Sequence, residues 1–99
     1  MKRIITLFAV FFLINLEWIT AQTVQITGTI TSSEDELPLI GATIVVKGTT
    51  IGTITDLDGN YILNAPEDAT TLVYSYVGML SQEIDIGDRT VIDVVLDPD

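Results

Sequence analysis

Residues 42–64, ATIVVKGTTIGTITDLDGNYILN, carry the strongest fold signals in this chain of 99 residues. Apolar residues stand at every second position of 42–47, as expected for a strand with one buried face. Similar runs follow at 52–55 and 60–64, and between them lies the turn sequence that ends in Asp58-Gly59. Because glycine accepts a positive φ, Asp-Gly between alternating runs favours a tight hairpin. The stretch therefore predicts three short strands, the last two joined as a β-hairpin.

The same alternation continues on both sides of this stretch. It predicts further strands at residues 23–31, 71–77, 80–86 and 90–97. The residues expected to face inward are Val24, Ile26, Gly28, Ile30, Ala42, Ile44, Val46, Tyr61, Leu63, Ile84, Ile86, Ile92, Val94 and Leu96. Seven short strands separated by turn residues are typical of an all-β, seven-stranded β-sandwich.

The first residues have the layout of a secretory signal peptide. Lys2 and Arg3 precede an unbroken apolar run at residues 4–14, and Ala21 offers a small side chain for cleavage. We expect a signal peptide at 1–21 and one domain at 22–99. The alternative is a retained anchor, but a membrane span needs roughly 20 apolar residues. Without cysteine there is no lipoprotein processing, so we expect an exported protein that is periplasmic, associated with the outer membrane, or secreted.

The charge of the chain is strongly acidic. Beyond residue 21, Lys47 and Arg89 are the basic residues against thirteen acidic ones, a net charge of −11. Nucleic acid and anionic membrane surfaces bind basic faces, so we expect neither as a partner. We also expect no membrane span in the mature chain. The acidic surplus keeps copies apart in solution, or it attracts a basic partner or a cation.

Candidate chemistry is limited to carboxylates, because the sequence has no histidine and no cysteine. This excludes His-based triads and zinc sites built from these ligands, and we expect no enzymatic activity and no cofactor. Asp56 and Asp58 lie in the turn, and Glu67 follows Asp56 by eleven residues. A calcium loop of the EF-hand type has its glycine at position six, whereas Gly59 stands at position four. Two interpretations stay open: a structural Asx turn, or a weak calcium site at Asp56 and Asp58.

Tyr74 and Tyr76 are the candidate ligand- or partner-binding residues. Both occur at alternate positions of the predicted strand at 71–77, where both faces are partly apolar. If they face inward, they belong to the core. If they face outward, they form a strip on which a sugar or a partner protein can stack.

Four segments in order resemble a known family: residues 26–30 (ITGTI), 37–49 (LPLIGATIVVKGT), 52–61 (GTITDLDGNY) and 72–78 (LVYSYVG). Together they resemble the carboxypeptidase-regulatory-like domain, in particular the copy at the N-terminus of SusC-like, TonB-dependent outer-membrane transporters. The resemblance covers residues 23–96 and implies an immunoglobulin- or transthyretin-like sandwich, a carbohydrate-binding-like fold. It implies an accessory domain rather than a peptidase.

Two functions follow as hypotheses. The first is a non-enzymatic periplasmic accessory module of TonB-linked nutrient transport, partnered by an outer-membrane transporter or another envelope protein. The transporters continue into a plug and a barrel, whereas this sequence ends at Asp99. We therefore expect a free-standing domain, a truncated transporter, or a fragment split from a longer reading frame. The second is a secreted carbohydrate- or cation-binding module. The oligomeric state is not predicted.

Overall fold

The computed structural model describes residues 22–99, which form two β-sheets. The strands are β1 (Thr23–Ser32), β2 (Thr43–Val46), β3 (Gly52–Ile54), β4 (Asn60–Pro66), β5 (Thr71–Ser75), β6 (Gln82–Asp85) and β7 (Val94–Leu96). Residues 22–99 contain no helix, and the predicted all-β, seven-stranded sandwich is confirmed. None of this part of the chain forms a helix that could span a membrane. The predicted signal peptide at 1–21 lies outside the described residues.

The chain changes sheets four times. One sheet has the strand order β4-β1-β7, with β1 antiparallel to β4 and parallel to β7. The other has the order β3-β2-β5-β6 and is antiparallel throughout. Each sheet therefore has two edge strands, and β1 is the central strand of the smaller sheet.

The core lies between the sheets and follows the predicted alternation. Its members are Ile26, Ile30, Leu39, Ala42, Ile44, Val46, Tyr61, Leu63, Ala65, Leu72, Tyr74, Ile86, Ile92, Val94 and Leu96. Burial of each large aliphatic side chain contributes about 1.5–3 kcal/mol. All of these residues lie within 22–99, so this segment carries its own core. Val24, predicted inward, is instead 37% exposed, because it stands near the beginning of β1 at the rim of the sandwich.

The predicted hairpin at Asp58-Gly59 is wrong, although the turn itself is present. β3 and β4 belong to different sheets and share no ladder. Gly59 has a φ of 76° and is buried, and a Cβ there would lie 2.6 Å from the Cβ of Pro38. The Ile30 N–H donates to the Gly59 carbonyl at 2.9 Å. Since this bond directs the chain onto β1, the turn crosses between the sheets instead of closing a hairpin.

The predicted strand at 90–97 is interrupted before β7. Ile92 N–H donates to the Thr27 carbonyl at 2.9 Å, but Thr29 N–H bonds to the Asp93 carboxylate, also at 2.9 Å, instead of to a backbone carbonyl. The Ile92 carbonyl oxygen lies only 1.9 Å from where a Cβ on residue 28 would stand. Glycine at position 28 thus permits the close approach of the two segments.

The fifth and sixth strands are shorter than predicted, because the residues between them bond to the C-terminal segment. Leu80 N–H donates to the Asp97 carbonyl at 2.8 Å, and Asp99 N–H donates to the Gly78 carbonyl at 3.0 Å. The strands consequently end at Ser75 and begin at Gln82.

Candidate interaction site

The acidic turn is organised by the carboxylate of Asp56. Its Oδ1 accepts the backbone N–H groups of Asp58 at 2.9 Å and of Asn60 at 3.0 Å. The turn is closed further by Gly59 N–H donating to the Asp56 carbonyl at 3.0 Å. These bonds form the Asx-turn arrangement in which an Asp side chain takes the place of a backbone acceptor.

The geometry brings no third carboxylate to this turn. Glu67 lies beyond the far end of β4, and six strand steps of about 3.3 Å put it roughly 20 Å away. Between residues 22 and 99, no group of three or more metal-ligating side chains is gathered at one place. The weak calcium site at Asp56 and Asp58 remains a prediction that depends on these two residues alone.

Tyr74 lies in the core and not on the surface. Its exposed fraction is 0%, and its hydroxyl lies 2.8 Å from the hydroxyl of Tyr61. The Tyr61 hydroxyl donates to the Ile92 carbonyl at 2.7 Å, so the proton between the two hydroxyls comes from Tyr74. The rings meet edge to face, with centroids 5.8 Å apart. Burial raises the pKa of both tyrosines.

The exposed strip of two tyrosines does not form. Leu72 and Tyr74 both point inward from β5, and β5 ends at Ser75, so Tyr76 leaves the regular alternation. Tyr76 is half-buried beside an open surface depression of about 430 Å³ that Gly41 and Val77 also line. The hydrogen-bonded pair of Tyr61 and Tyr74 was not predicted, although Tyr61 was expected to face inward and Tyr74 was allowed to.

The edges of the sheets are the next surfaces able to bind a partner, and two of the four are occupied or charged. At the β7 edge, the Gln82 side chain donates to the Val95 carbonyl at 2.7 Å. The β6 edge carries exposed Glu83 and Asp85, and the Arg89 guanidinium donates to the Asp85 carbonyl. Charged residues on an edge strand discourage pairing with another strand.

Lys47 and Glu83 reinforce the charged character of the β6 edge. Their Nζ and Oε1 atoms are 2.5 Å apart, and both side chains are more than half exposed. The hydrogen bond with Glu83 raises the pKa of Lys47. A pair this exposed contributes little to stability, so its main effect at this edge is electrostatic.

The remaining edges belong to β3 and β4, and they differ in length. β3 has three residues, whereas β4 has seven and no charged side chain. Its outward-facing residues are Asn60, Ile62 and Asn64, all exposed. β4 therefore has a long, neutral edge, of the kind to which another strand can add.

The hydrogen-bond register defines which backbone groups this edge presents. Gly59 and Glu67 both bond to β1 or its extension, so the odd-numbered residues of β4 direct their backbone groups toward β1. The backbone N–H and C=O groups of Ile62 and Asn64 then point away from it, and within residues 22–99 no strand pairs there. The groups of Asn60 are already taken up by Asp56, at 2.9 and 3.0 Å. Pro66 has no N–H, and its carbonyl accepts the Ala69 N–H at 3.0 Å. We refer to the backbone of residues 62–64 as the open edge.

Carboxylates stand at both ends of the open edge. Asp56 and Asp58 precede β4, and Glu67 and Asp68 follow it, all exposed. The middle is apolar, since Ile62 is 59% exposed. This site was not predicted from the sequence, because it depends on which strands pair and which remain at an edge.

A family model and known proteins match this chain. The model of the CarboxypepD_reg-like domain matches residues 26–98. The TonB-dependent receptor P3 of Formosa agariphila is 41% identical over 98 residues, which is 99% of this chain and 10% of the receptor. The TonB-dependent receptor SusC of Bacteroides thetaiotaomicron is 44% identical over 66 residues, 67% of this chain and 6% of the receptor. The chain thus spans about a tenth or less of these relatives.

Solved structures match the fold at lower sequence identity. A chain of the type II cohesin–X-dockerin complex Coh3ScaB–XDoc_M2ScaA from Acetivibrio cellulolyticus superposes with a TM-score of 0.57 and 18% identity. The match covers 73% of this chain and 52% of that chain. At this identity the similarity extends to the fold alone.

Proposed function

Because this chain belongs to the CarboxypepD_reg-like domain family, we propose that it is a non-enzymatic interaction module of the bacterial envelope that serves TonB-linked uptake at the outer membrane. The observation that carries the proposal is the 41% identity to a TonB-dependent receptor over almost the whole chain. Export through the signal peptide at 1–21 and a place in the periplasm beside a transporter are parts of the same proposal.

The composition supports a role in binding rather than catalysis. With neither histidine nor cysteine, the chain lacks the common general base near neutral pH and the common nucleophile activated by a lowered pKa. The neutral edge of β4 supports docking, since the addition of a strand to an exposed sheet edge is a recurring way of binding a peptide.

The alternative of a secreted carbohydrate- or cation-binding module has lost one of the two features that favoured it. The acidic surface remains, but an exposed stacking strip needs both Tyr74 and Tyr76, and Tyr74 is 0% exposed. We therefore do not put this alternative beside the first proposal.

The test is cross-linking in living cells. The full chain with a C-terminal tag is expressed in a bacterium that encodes SusC-like receptors, with photo-activatable residues at exposed positions on both sheets. We expect the tagged chain in the envelope fraction, cross-linked to a TonB-dependent receptor. The same chain without residues 2–21 is the control, and it should remain in the cytoplasm. Cytoplasmic retention of the full chain, or envelope location without a receptor adduct, contradicts the proposal.

A further inference from the structure

We propose that the open edge of β4 binds an extended peptide with basic residues at both ends and β-branched residues in the middle, by adding it as a fourth strand to the sheet β4-β1-β7. This inference rests on the proposed function and names the chemistry of the partner. It starts from the backbone of Ile62 and Asn64, whose N–H and C=O groups face away from β1. An added strand supplies partners for these groups.

The outer face beside the edge favours a peptide with apolar side chains in its middle. Ile62 of β4 pairs with Thr27 of β1. On the other side of β1, Thr27 forms a bridge with Val91. Ile62 and Val91 are 59% and 61% exposed, so this row is weakly polar across the whole sheet. A β-branched residue of the peptide next to Ile62 extends the row and covers part of that side chain.

The charges at the two ends of the edge select basic flanks. Asp56 and Asp58 precede β4, while Glu67 and Asp68 follow it. A peptide spanning the edge in either direction then places its first and last residues beside carboxylates. Lys or Arg at both ends gives complementary charge, which raises the association rate and disfavours acidic competitors.

The same charges disfavour a second copy of this chain as the occupant. Antiparallel pairing of two β4 strands, with Ile62 opposite Asn64, directs Asp58 toward the partner copy's acidic turn after β4. Each copy also carries a net charge of −11 beyond residue 21. Like charges that face each other across paired strands are destabilising.

The experiment titrates residues 22–99, which carry their own core, with defined peptides. The probe is Ac-KKTVTITVTKK-NH₂. One control peptide has glutamate in place of every lysine, and a second keeps the lysines but carries N-methyl groups on alternate central amides, which blocks strand pairing. NMR detects the backbone amides. We expect binding of the lysine probe with protection of the Ile62 and Asn64 amides from exchange, and no binding of either control.

Two variants with prolines test the location. Asn64→Pro removes an N–H that points away from β1, and proline is tolerated at such an edge position. We expect this variant to fold and to bind the probe about tenfold more weakly, the equivalent of one lost hydrogen bond plus the steric effect of the ring. Glu83→Pro is the matched control, because Glu83 holds the equivalent outward position on β6, and its affinity should be unchanged.

Several outcomes overturn the inference: no binding of the lysine probe at millimolar concentration, equal binding of the N-methylated probe, or equal affinity of Asn64→Pro. Equal binding of the glutamate peptide overturns the basic flanks. Dimerisation of the free domain through β4 makes a second copy the occupant instead. The proposed function has a separate readout. If the probe does not bind at the edge but the receptor cross-link forms, the edge inference alone fails. If the probe binds at the edge but no receptor is cross-linked, the proposed function fails.

Discussion

Replacing Gly28 with alanine should destabilise this domain more than the same replacement at Gly78, where a Cβ meets free space. An alanine Cβ would lie 1.9 Å from the Ile92 carbonyl oxygen, 2.7 Å from its carbon and 2.9 Å from Cε1 of Tyr61. Real Cβ atoms stay beyond 3.0 Å, so the Ile92 backbone must move by about 1 Å. That movement separates the carbonyl from the Tyr61 hydroxyl, now 2.7 Å away.

The cost follows from these contacts. Forcing an extra group into a packed interior costs about 1–3 kcal/mol. Leaving the buried hydroxyl and carbonyl unpaired costs about 1–3 kcal/mol more. Reduced freedom of the unfolded chain returns about 0.4–1 kcal/mol. We therefore expect a loss of about 2–5 kcal/mol in the free energy of unfolding, against a total of about 4–12 kcal/mol for a segment of this size.

The assay is urea denaturation of residues 22–99, followed by far-UV circular dichroism and tyrosine fluorescence. Gly78→Ala is the control, because a Cβ there meets nothing within 4 Å and only the φ of 80° is strained. Its cost should be about 1–2 kcal/mol. If Gly28→Ala costs no more than Gly78→Ala, the close approach of β1 to Ile92 does not constrain the fold, and the reasoning is refuted.

Three further predictions concern buried and local hydrogen bonds. Thr55→Val should lower the free energy of unfolding by about 2–4 kcal/mol, because the Thr55 hydroxyl accepts the Ala42 N–H at 2.9 Å and donates to the Leu39 carbonyl at 2.5 Å. Thr55→Ser keeps the hydroxyl and should lower it by about 1 kcal/mol in the same urea assay. Burial raises the pKa of Tyr61 and Tyr74 in the folded state above the ordinary tyrosine pKa of 10.0. The neutral forms therefore favour folding fully below pH 10, and above it the free energy of unfolding should fall by up to about 1.4 kcal/mol per pH unit for each tyrosine. A Tyr74→Phe variant should show a smaller alkaline slope, and an unchanged slope contradicts this assignment. Asp56→Ala should cost about 1–3 kcal/mol through the loss of two bonds to its carboxylate, while Asp58→Ala, whose backbone N–H remains available, should cost little.

The sequence predicted which side chains of each strand face the core better than it predicted which strands pair with one another. Alternation is a local property, so Ile44, Leu63 and Val94 were assigned to the core correctly. Pairing is not local: Asp58-Gly59 has the composition of a hairpin, but the bond from Ile30 to Gly59 sends the following strand to the other sheet. The open edge could not be identified for the same reason, since it is defined by the strands that do not pair with β4.

The interruption before β7 was also beyond sequence reasoning. Residues 90–97 alternate regularly, and nothing in them indicates that the Ile92 carbonyl turns toward the core, where it accepts the Tyr61 hydroxyl. The determinants lie elsewhere in the chain, in the missing Cβ of Gly28 and in the hydroxyl of Tyr61. A glycine inside an alternating strand is the one signal that indicates such a close approach.

The acidic residues around β4 give the open edge a second property that can be tested, namely resistance to self-association. An exposed neutral edge strand is a template for pairing with another copy. This edge has neither a lysine nor a bulge to prevent it, and Pro66 protects its last position alone. What then opposes self-association through β4 is the repulsion between Asp58 of one copy and the acidic turn after β4 of the next copy.

Removing this repulsion should therefore produce dimers. We expect a variant with Asp58→Asn, Glu67→Gln and Asp68→Asn to dimerise in sedimentation velocity experiments at moderate salt, where the parent domain stays monomeric. Adding Asn64→Pro to the same variant should restore the monomer, because the proline removes an outward N–H from the pairing edge. A neutralised variant that stays monomeric would show that the carboxylates do not guard β4, and dimers that persist with the proline would place the contact on another surface.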